Sequence, residues 1–278
     1  MTALYLVRHG QASFGADDYD RLSELGHRQS RWLGDYFAER GFRPDRVVIG
    51  SLRRHRETWE GIAEGLGARG IASPAPTVRA ALDEYQSDRL LAAHQASASA
   101  DGAVGAGADA AVGSHPDANA PPSPDDAGGT AGSAARTAAN VVMRMAVAGD
   151  PADPAARRAH FRILREALTA WADGHLVADG HAPFREFRSG AFDTFLATWS
   201  ESVGSDDNVI VVTSGGPISS ILVQLLGMPD AAFVTLNLQT RNTGYTEFQG
   251  NGRRPHLVGF NGITHLDTAE RRHFITYS

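Results

Sequence analysis

The chain has 278 residues, 42% of them hydrophobic, which is enough for a sizeable core in one large or two small domains. Its net charge of -6 leaves no global basic footprint for nucleic acid, and the absence of cysteine excludes disulfides, thiolate catalysis and cysteine-ligated metals. No stretch approaches the roughly 18 consecutive apolar residues of a membrane helix, and no charged, apolar leader precedes the first ordered segment, so a soluble cytoplasmic protein is expected.

The first segment, Ala3-Leu4-Tyr5-Leu6-Val7, is short, apolar and followed closely by a glycine, the pattern of a buried strand. Arg8-His9-Gly10 therefore sits at a strand's carboxyl end, where open α/β sheets bind ligands. An imidazole beside a guanidinium suits attack on a phosphoryl group whose oxygens the arginine holds. A lone histidine after a strand is more often a hydrogen-bonded structural residue, so the assignment depends on agreement with later segments.

A polar loop from Gln11 to Arg21 leads to Ser23, a helix cap. Leu25, Gln29, Trp32, Leu33, Tyr36 and Phe37 then follow at spacings of three and four, up to Gly41. Arg46-Val47-Val48-Ile49 is a second strand, closing at Gly50-Ser51, and a helix runs from about Arg53 to Leu66. Strand–helix–strand–helix order predicts a mostly parallel sheet flanked by helices. From residue 95 to about 139 alanine, glycine, serine, aspartate and proline dominate. Such a stretch cannot bury enough apolar surface to offset chain entropy, and disorder is expected. Its glycines lack the preceding strand and following helix of a nucleotide loop.

Order is expected to resume at Val141-Val142-Met143 or after Pro154. One helix there carries Phe161, Leu164, Leu168 and Trp171, and a second carries Phe192, Phe195, Leu196 and Trp199. Together they define a helical cap over 140–205 of a single domain, 1–278. Val209-Ile210-Val211-Val212 is a buried strand ending at Thr213-Ser214-Gly215-Gly216, with an apolar helix from near Pro217 to Gly227. Tyr245–Phe248 and His256–Phe260 form a late hairpin about Gly250-Asn251-Gly252.

Three strand ends thus carry phosphate-binding candidates: Arg8-His9-Gly10, the Gly50–Thr58 segment and Thr213–Gly216. The last two open helices, whose free N–H groups and positive dipole ends favour a dianion. With Leu22–Gln29, Leu82-Asp83-Glu84 and Phe260 to Leu266, these segments run in an order that resembles the histidine phosphatase superfamily, the phosphoglycerate mutase-like fold. The resemblance spans Leu4 to about Leu266 with one long gap.

The resemblance implies a three-layer α/β fold and roles residue by residue. His9 is the nucleophile that becomes a phosphohistidine, and Arg8 binds phosphoryl oxygens. In the family's Ser-Pro-Leu-x-Arg-Ala-x-Gln-Thr pattern, alignment from Thr58 back makes Arg54 the second phosphate arginine. Arg53, turned about 100° from it, points elsewhere. Glu84 is the general acid, with Asp83 its rival, and a suitable acid needs a raised pKa. Ser214, Gly215 and Gln11 are further phosphate-pocket candidates, although Gln11 and Ser13 could equally cap their loop.

One departure stands out: the family usually carries a second histidine where this chain has Ser214. Three outcomes are open. Ser214 and the Gly215 N–H suffice, another histidine such as His265 or His55 fills the space, or turnover has decayed while phosphate binding survives. The expected function is phosphate-monoester hydrolysis of a small phosphorylated substrate, with no metal or other cofactor, nucleic acid or membrane partner. A phospholigand-binding protein is the alternative and a phosphoglycerate mutase-type phosphotransferase the third. The G-x-S-x-G frame of an acyl hydrolase is absent around Ser214, and no histidine pair has HExxH spacing. Substrate identity and oligomeric state are not readable.

Overall fold

Strand β1 (Thr2–Arg8) forms where Leu4, Leu6 and Val7 can all be buried, and it lies near the middle of the sheet. A computed structural model describes residues 1–13, 20–107 and 154–277. After β1 come α1 (Glu24–Glu39), β2 (Arg46–Ile49), α2 (Arg53–Gly67), the two-residue β3 (Thr77–Val78), a 3₁₀ turn (Ala80–Leu82) and α3 (Ser87–Gly107). The later elements are α4 (Pro154–Ala172), α5 (Phe184–Ser202), β4 (Asn208–Thr213), α6 (Gly215–Leu226), α7 (Ala232–Gln239), β5 (Tyr245–Gly250) and β6 (His256–Gly262). A second 3₁₀ turn spans Arg272–Phe274.

The six strands form one sheet in the order β3-β2-β4-β1-β5-β6. Pairing is parallel from β3 through β1 and antiparallel for the late β5–β6 hairpin. Side chains alternate across the strands and build two cores. Leu4, Leu6, Val209 and Val211 pack under α5 and α6 with Phe195 and Trp199. Val7, Val47, Ile49, Ile210 and Val212 pack against α1 and α2 with Leu33, Phe37 and Ile62. This is a three-layer α/β sandwich.

Local chemistry sets the helix ends. The Ser23 hydroxyl accepts the Gly26 N–H at 3.0 Å, capping α1 as its sequence predicts. Helix α6 ends at Gly227, whose φ of 64° is left-handed, and it starts two residues earlier than Pro217. The short α7 carried no clear sequence signal.

Two expectations change. The segment from residue 95 does not begin as disordered chain, because α3 continues through Gly107. Alanine favours helix, and the Ser97 and Ser99 hydroxyls donate back to the carbonyls of Ala93 and Gln95. The rest of that stretch, 108–139, and Val141–Met143 lie outside the described residues. The helices expected as one cap over 140–205 also divide. Helix α5 covers the sheet itself, with Ala191, Phe195 and Trp199 in the first core. Helix α4 instead packs with α3 and α7 in a third cluster around Leu90, Leu168, Trp171, Phe184 and Phe233.

Trp199 is fully buried, and its indole N–H donates to the Gly252 carbonyl at 2.9 Å, tying α5 to the β5–β6 turn. Trp199→Ala should destabilise the fold by about 3–5 kcal/mol, read from urea unfolding midpoints.

Candidate active site

Parallel pairing brings three strand ends level. Arg8 lies opposite Thr213 in the β1–β4 ladder, and Ile49 opposite Val212 in the β2–β4 ladder. The ladders run one step beyond the strands. The His9 N–H donates to the Thr213 carbonyl at 2.9 Å and the Gly50 N–H to that of Val212 at 3.1 Å. His9, the start of α2 and the start of α6 therefore share one edge of the sheet.

The backbone at His9 is braced from several sides. The Asn242 side-chain amide and the Thr243 N–H both donate to the His9 carbonyl, at 3.2 and 3.3 Å. The Gly10 N–H donates to the Thr58 hydroxyl at 3.0 Å, and that hydroxyl donates to the Arg54 carbonyl at 2.7 Å. The RHG turn and the arginine-bearing helix are thus locked together. His9 Nδ1 lies 2.7 Å from the Gly10 carbonyl. A carbonyl only accepts, so Nδ1 carries the hydrogen and the Nε2 lone pair faces away from the bond.

Arg8 and Arg54 are both buried. Arg8 Nη1 donates to the carbonyls of Thr240 and Tyr277. Arg54 Nη1 donates to Asp20 Oδ1 at 2.7 Å, and the other oxygen of Asp20 accepts the Arg53 N–H at 2.7 Å. The Arg53 side chain turns away to Glu57, its Nε donating at 2.6 Å. Glu57 also accepts the Leu22 N–H at 2.7 Å, anchoring the end of the first loop.

Glu84 faces the first turn of α6. Its carboxyl accepts the Gly216 N–H at 3.1 Å and the Tyr85 N–H at 3.2 Å. A Cβ at Gly216 would stand 2.1 Å from Glu84 Oε1, so only glycine lets the carboxyl approach this helix start. The segment before it is pinned by the Thr213 hydroxyl, which donates to the Leu82 carbonyl at 2.6 Å. Asp83, the rival acid, points elsewhere and accepts the Ser51 N–H and hydroxyl.

Electrostatics join these groups. Burial, then Arg54, Arg8 and His55, hold the His9 ring well below the usual imidazole range, so it is neutral. Burial raises the Glu84 carboxyl, against the opposing pull of Arg54, Arg8 and its two N–H donors. Both guanidinium groups therefore act on both the ring and the carboxyl. The arrangement brings together a neutral imidazole, a carboxyl with a raised pKa and two fixed cations.

Other candidates take different places. Ser214 is fully buried, and its hydroxyl lies 2.7 Å from His55 Nε2 instead of capping α6. Gly215 opens α6, beside the Asn237 side chain. The Gln11 side-chain oxygen accepts the Ser23 hydroxyl at 3.0 Å, bracing the α1 cap. His265 sits behind the site, its Nε2 2.8 Å from the Thr243 hydroxyl. Asp20, Asn242 and Thr243 carried no motif signal. Among the described residues no group of three His, Cys, Asp or Glu side chains is placed to hold a metal ion. No helix there is long and apolar enough to cross a membrane.

Comparison with known proteins establishes the family and the fold. The family described as "Histidine phosphatase superfamily (branch 1)" matches residues 4–174 and 158–262, and the chain belongs to that superfamily. No curated protein matches it in sequence. Among solved structures, it is similar to a mutant phosphoserine phosphatase from Entamoeba histolytica in complex with phosphoserine. The TM-score is 0.55 at 15% identity, covering 96% of this chain and 100% of the other. It is similar to mycobacterial glucosyl-3-phosphoglycerate phosphatase, with TM-score 0.52, 18% identity and coverage of 94% and 98%. Bacillus stearothermophilus YhfR gives TM-score 0.56, 15% identity and coverage of 95% and 99%. These likenesses establish the phosphoglycerate mutase-like fold.

The buried rings carry a stability cost in acid. His9 and His55 are held well below their ordinary value, and burial and Arg271 lower His265 to about 3. Each stays neutral in the folded chain, whereas the unfolded chain takes up protons below pH ~6.5. Their contribution is thus complete above that value and lost as pH falls, by up to ~1.4 kcal/mol per pH unit per ring. Glu84 acts in the opposite sense between its ordinary and raised values, one carboxyl against these three rings and the partly buried His160, which is lowered as well. Thermal unfolding between pH 7.5 and 5.5 should show a steep fall in Tm, and His265→Asn should make it shallower.

Proposed function

We propose that this chain is a phosphomonoesterase working through a phosphohistidine on His9, with no metal or other cofactor required. The observation that carries the reading is the His9 ring itself: neutral, with Nδ1 committed to the Gly10 carbonyl and Nε2 left as nucleophile. Arg8 and Arg54 hold the phosphoryl oxygens, and Nε2 attacks phosphorus in line. The phosphorus–oxygen bond to the leaving group breaks as the protonated Glu84 gives its hydrogen to the departing alkoxide. Glu84, now a carboxylate, takes a proton from the water that attacks the phosphohistidine. Phosphate leaves, and the ring and acid are restored. The substrate class is a small phosphate monoester, as in the complex of the Entamoeba histolytica phosphatase with phosphoserine.

A second reading, a phospholigand-binding protein with little turnover, is favoured by serine at position 214. The two differ in labelling, since a denaturing alkaline quench, under which a phosphohistidine survives, traps phosphate on an enzyme's His9 but not on a binder.

The protein should release phosphate from an aryl phosphate, and His9→Ala should abolish both release and label. Equal release by parent and variant would refute the proposal. Glu84→Gln should slow alkyl esters by about 10²–10⁴-fold, and aryl esters, whose leaving groups need less help, much less. Initial rates on matched esters measure the difference.

A further inference from the structure

His55, on the first turn of α2, is a buried imidazole that the mechanism above does not use. It is fully buried, its Nε2 lies 2.7 Å from the Ser214 hydroxyl, and its ring centroid is 5.8 Å from that of His9. Its Nδ1 has no hydrogen-bond partner among the described residues and faces Asp83 Oδ1 at 3.7 Å. A buried nitrogen left unbonded in a native fold calls for a reason. Asp83 is itself fixed, because the Ser51 N–H and hydroxyl donate to its two oxygens.

Space has been made for this ring. A Cβ at Gly50 would stand 2.2 Å from His55 Nδ1 and 2.6 Å from Asp83 Oδ1. Aligned on Thr58, the pattern described above has serine where this chain has Gly50 and alanine where it has His55. Beside departures at Ser51 and Glu57, three others meet at one place: the imidazole missing at 214, the ring present at 55, and the side chain absent at 50.

We infer that His55 and Ser214 together do the work of one imidazole, with His55 a positioning residue that aims the Ser214 hydroxyl at the phosphoryl group. The inference rests on the phosphatase reading. When Nε2 carries the hydrogen it donates to the Ser214 oxygen, and the hydroxyl is left to donate to a phosphoryl oxygen. In the reverse sense serine lone pairs would face an anion, so a bound phosphoryl group selects the first arrangement. Each donor in the row polarises the next. With the hydrogen on Nε2, Nδ1 keeps its lone pair, which agrees with the absence of a bond across the 3.7 Å to Asp83 Oδ1. The groups facing the ring are Ser214 from the β4–α6 turn, Asp83, His9 and, on its own helix, Arg54, which with burial keeps the ring neutral.

Transposing the imidazole tests this. His55→Ala should lower kcat on an aryl phosphate by about 10²-fold or more, the scale for one lost donor, with KM changed only a few-fold. The double variant His55→Ala/Ser214→His, with the ring returned to the strand end, should recover at least about tenfold of that loss. A purely structural role for His55 would show no such rescue. Parental kcat in His55→Ala, with His9→Ala inactive, overturns the inference and leaves the phosphatase reading standing. Full activity in His9→Ala overturns that reading itself. Should His55→Ala not fold, the double variant decides: activity within about tenfold of the parent supports the inference, and a folded but inactive double variant refutes it.

Discussion

The site depends on the register between β1 and β4. Arg8 pairs with Thr213, so the RHG turn and the Ser214-Gly215-Gly216 turn leave the sheet at the same level. A slip of one residue would turn Leu4 and Leu6 out of one core and send His9 to the other face. The same apolar packing that stabilises the domain therefore positions its chemistry. Leu4 and Leu6 enter one core and Val7 the other, so both faces of β1 are fixed by packing.

At the sheet edge, charge and burial are balanced against each other. Burial, and after it two guanidinium groups, hold the imidazole well below its usual range, and burial raises the Glu84 carboxyl against the pull of the same two cations. Neither group needs an unusual residue type; the difference lies in surroundings. Asp20 and the carbonyls of Thr240 and Tyr277 hold the arginines in place, so the cations stand oriented before any anion arrives.

The strands, the Ser23 cap and the placing of Arg8 and His9 at a strand end were legible because each follows from a local rule, apolar runs ending in glycine or a capping hydroxyl, whereas Arg54 and Glu84 were reached only through the family resemblance. The separation of Arg53 from Arg54 was legible too, since adjacent helical side chains diverge. What escaped was set by tertiary contact. Asp20 lies in a polar loop with no pattern, and its bond to Arg54 exists only because the loop returns to α2. Helix α5 has the same aromatic stripe as α4, and sequence gives no means of telling which stripe meets the sheet. Composition misjudged 95–107, where a polar, alanine-rich segment continues a helix already begun at Ser87.

The bond from Arg8 to the Tyr277 carbonyl has a practical meaning. Thr276 reaches inward as well, its hydroxyl bonded to Asn242, the residue that holds the His9 carbonyl. The last described residues are thus a strap across the back of Arg8 and His9. Trimming them, or fusing a tag that drags on them, would loosen a guanidinium more than two hundred positions away.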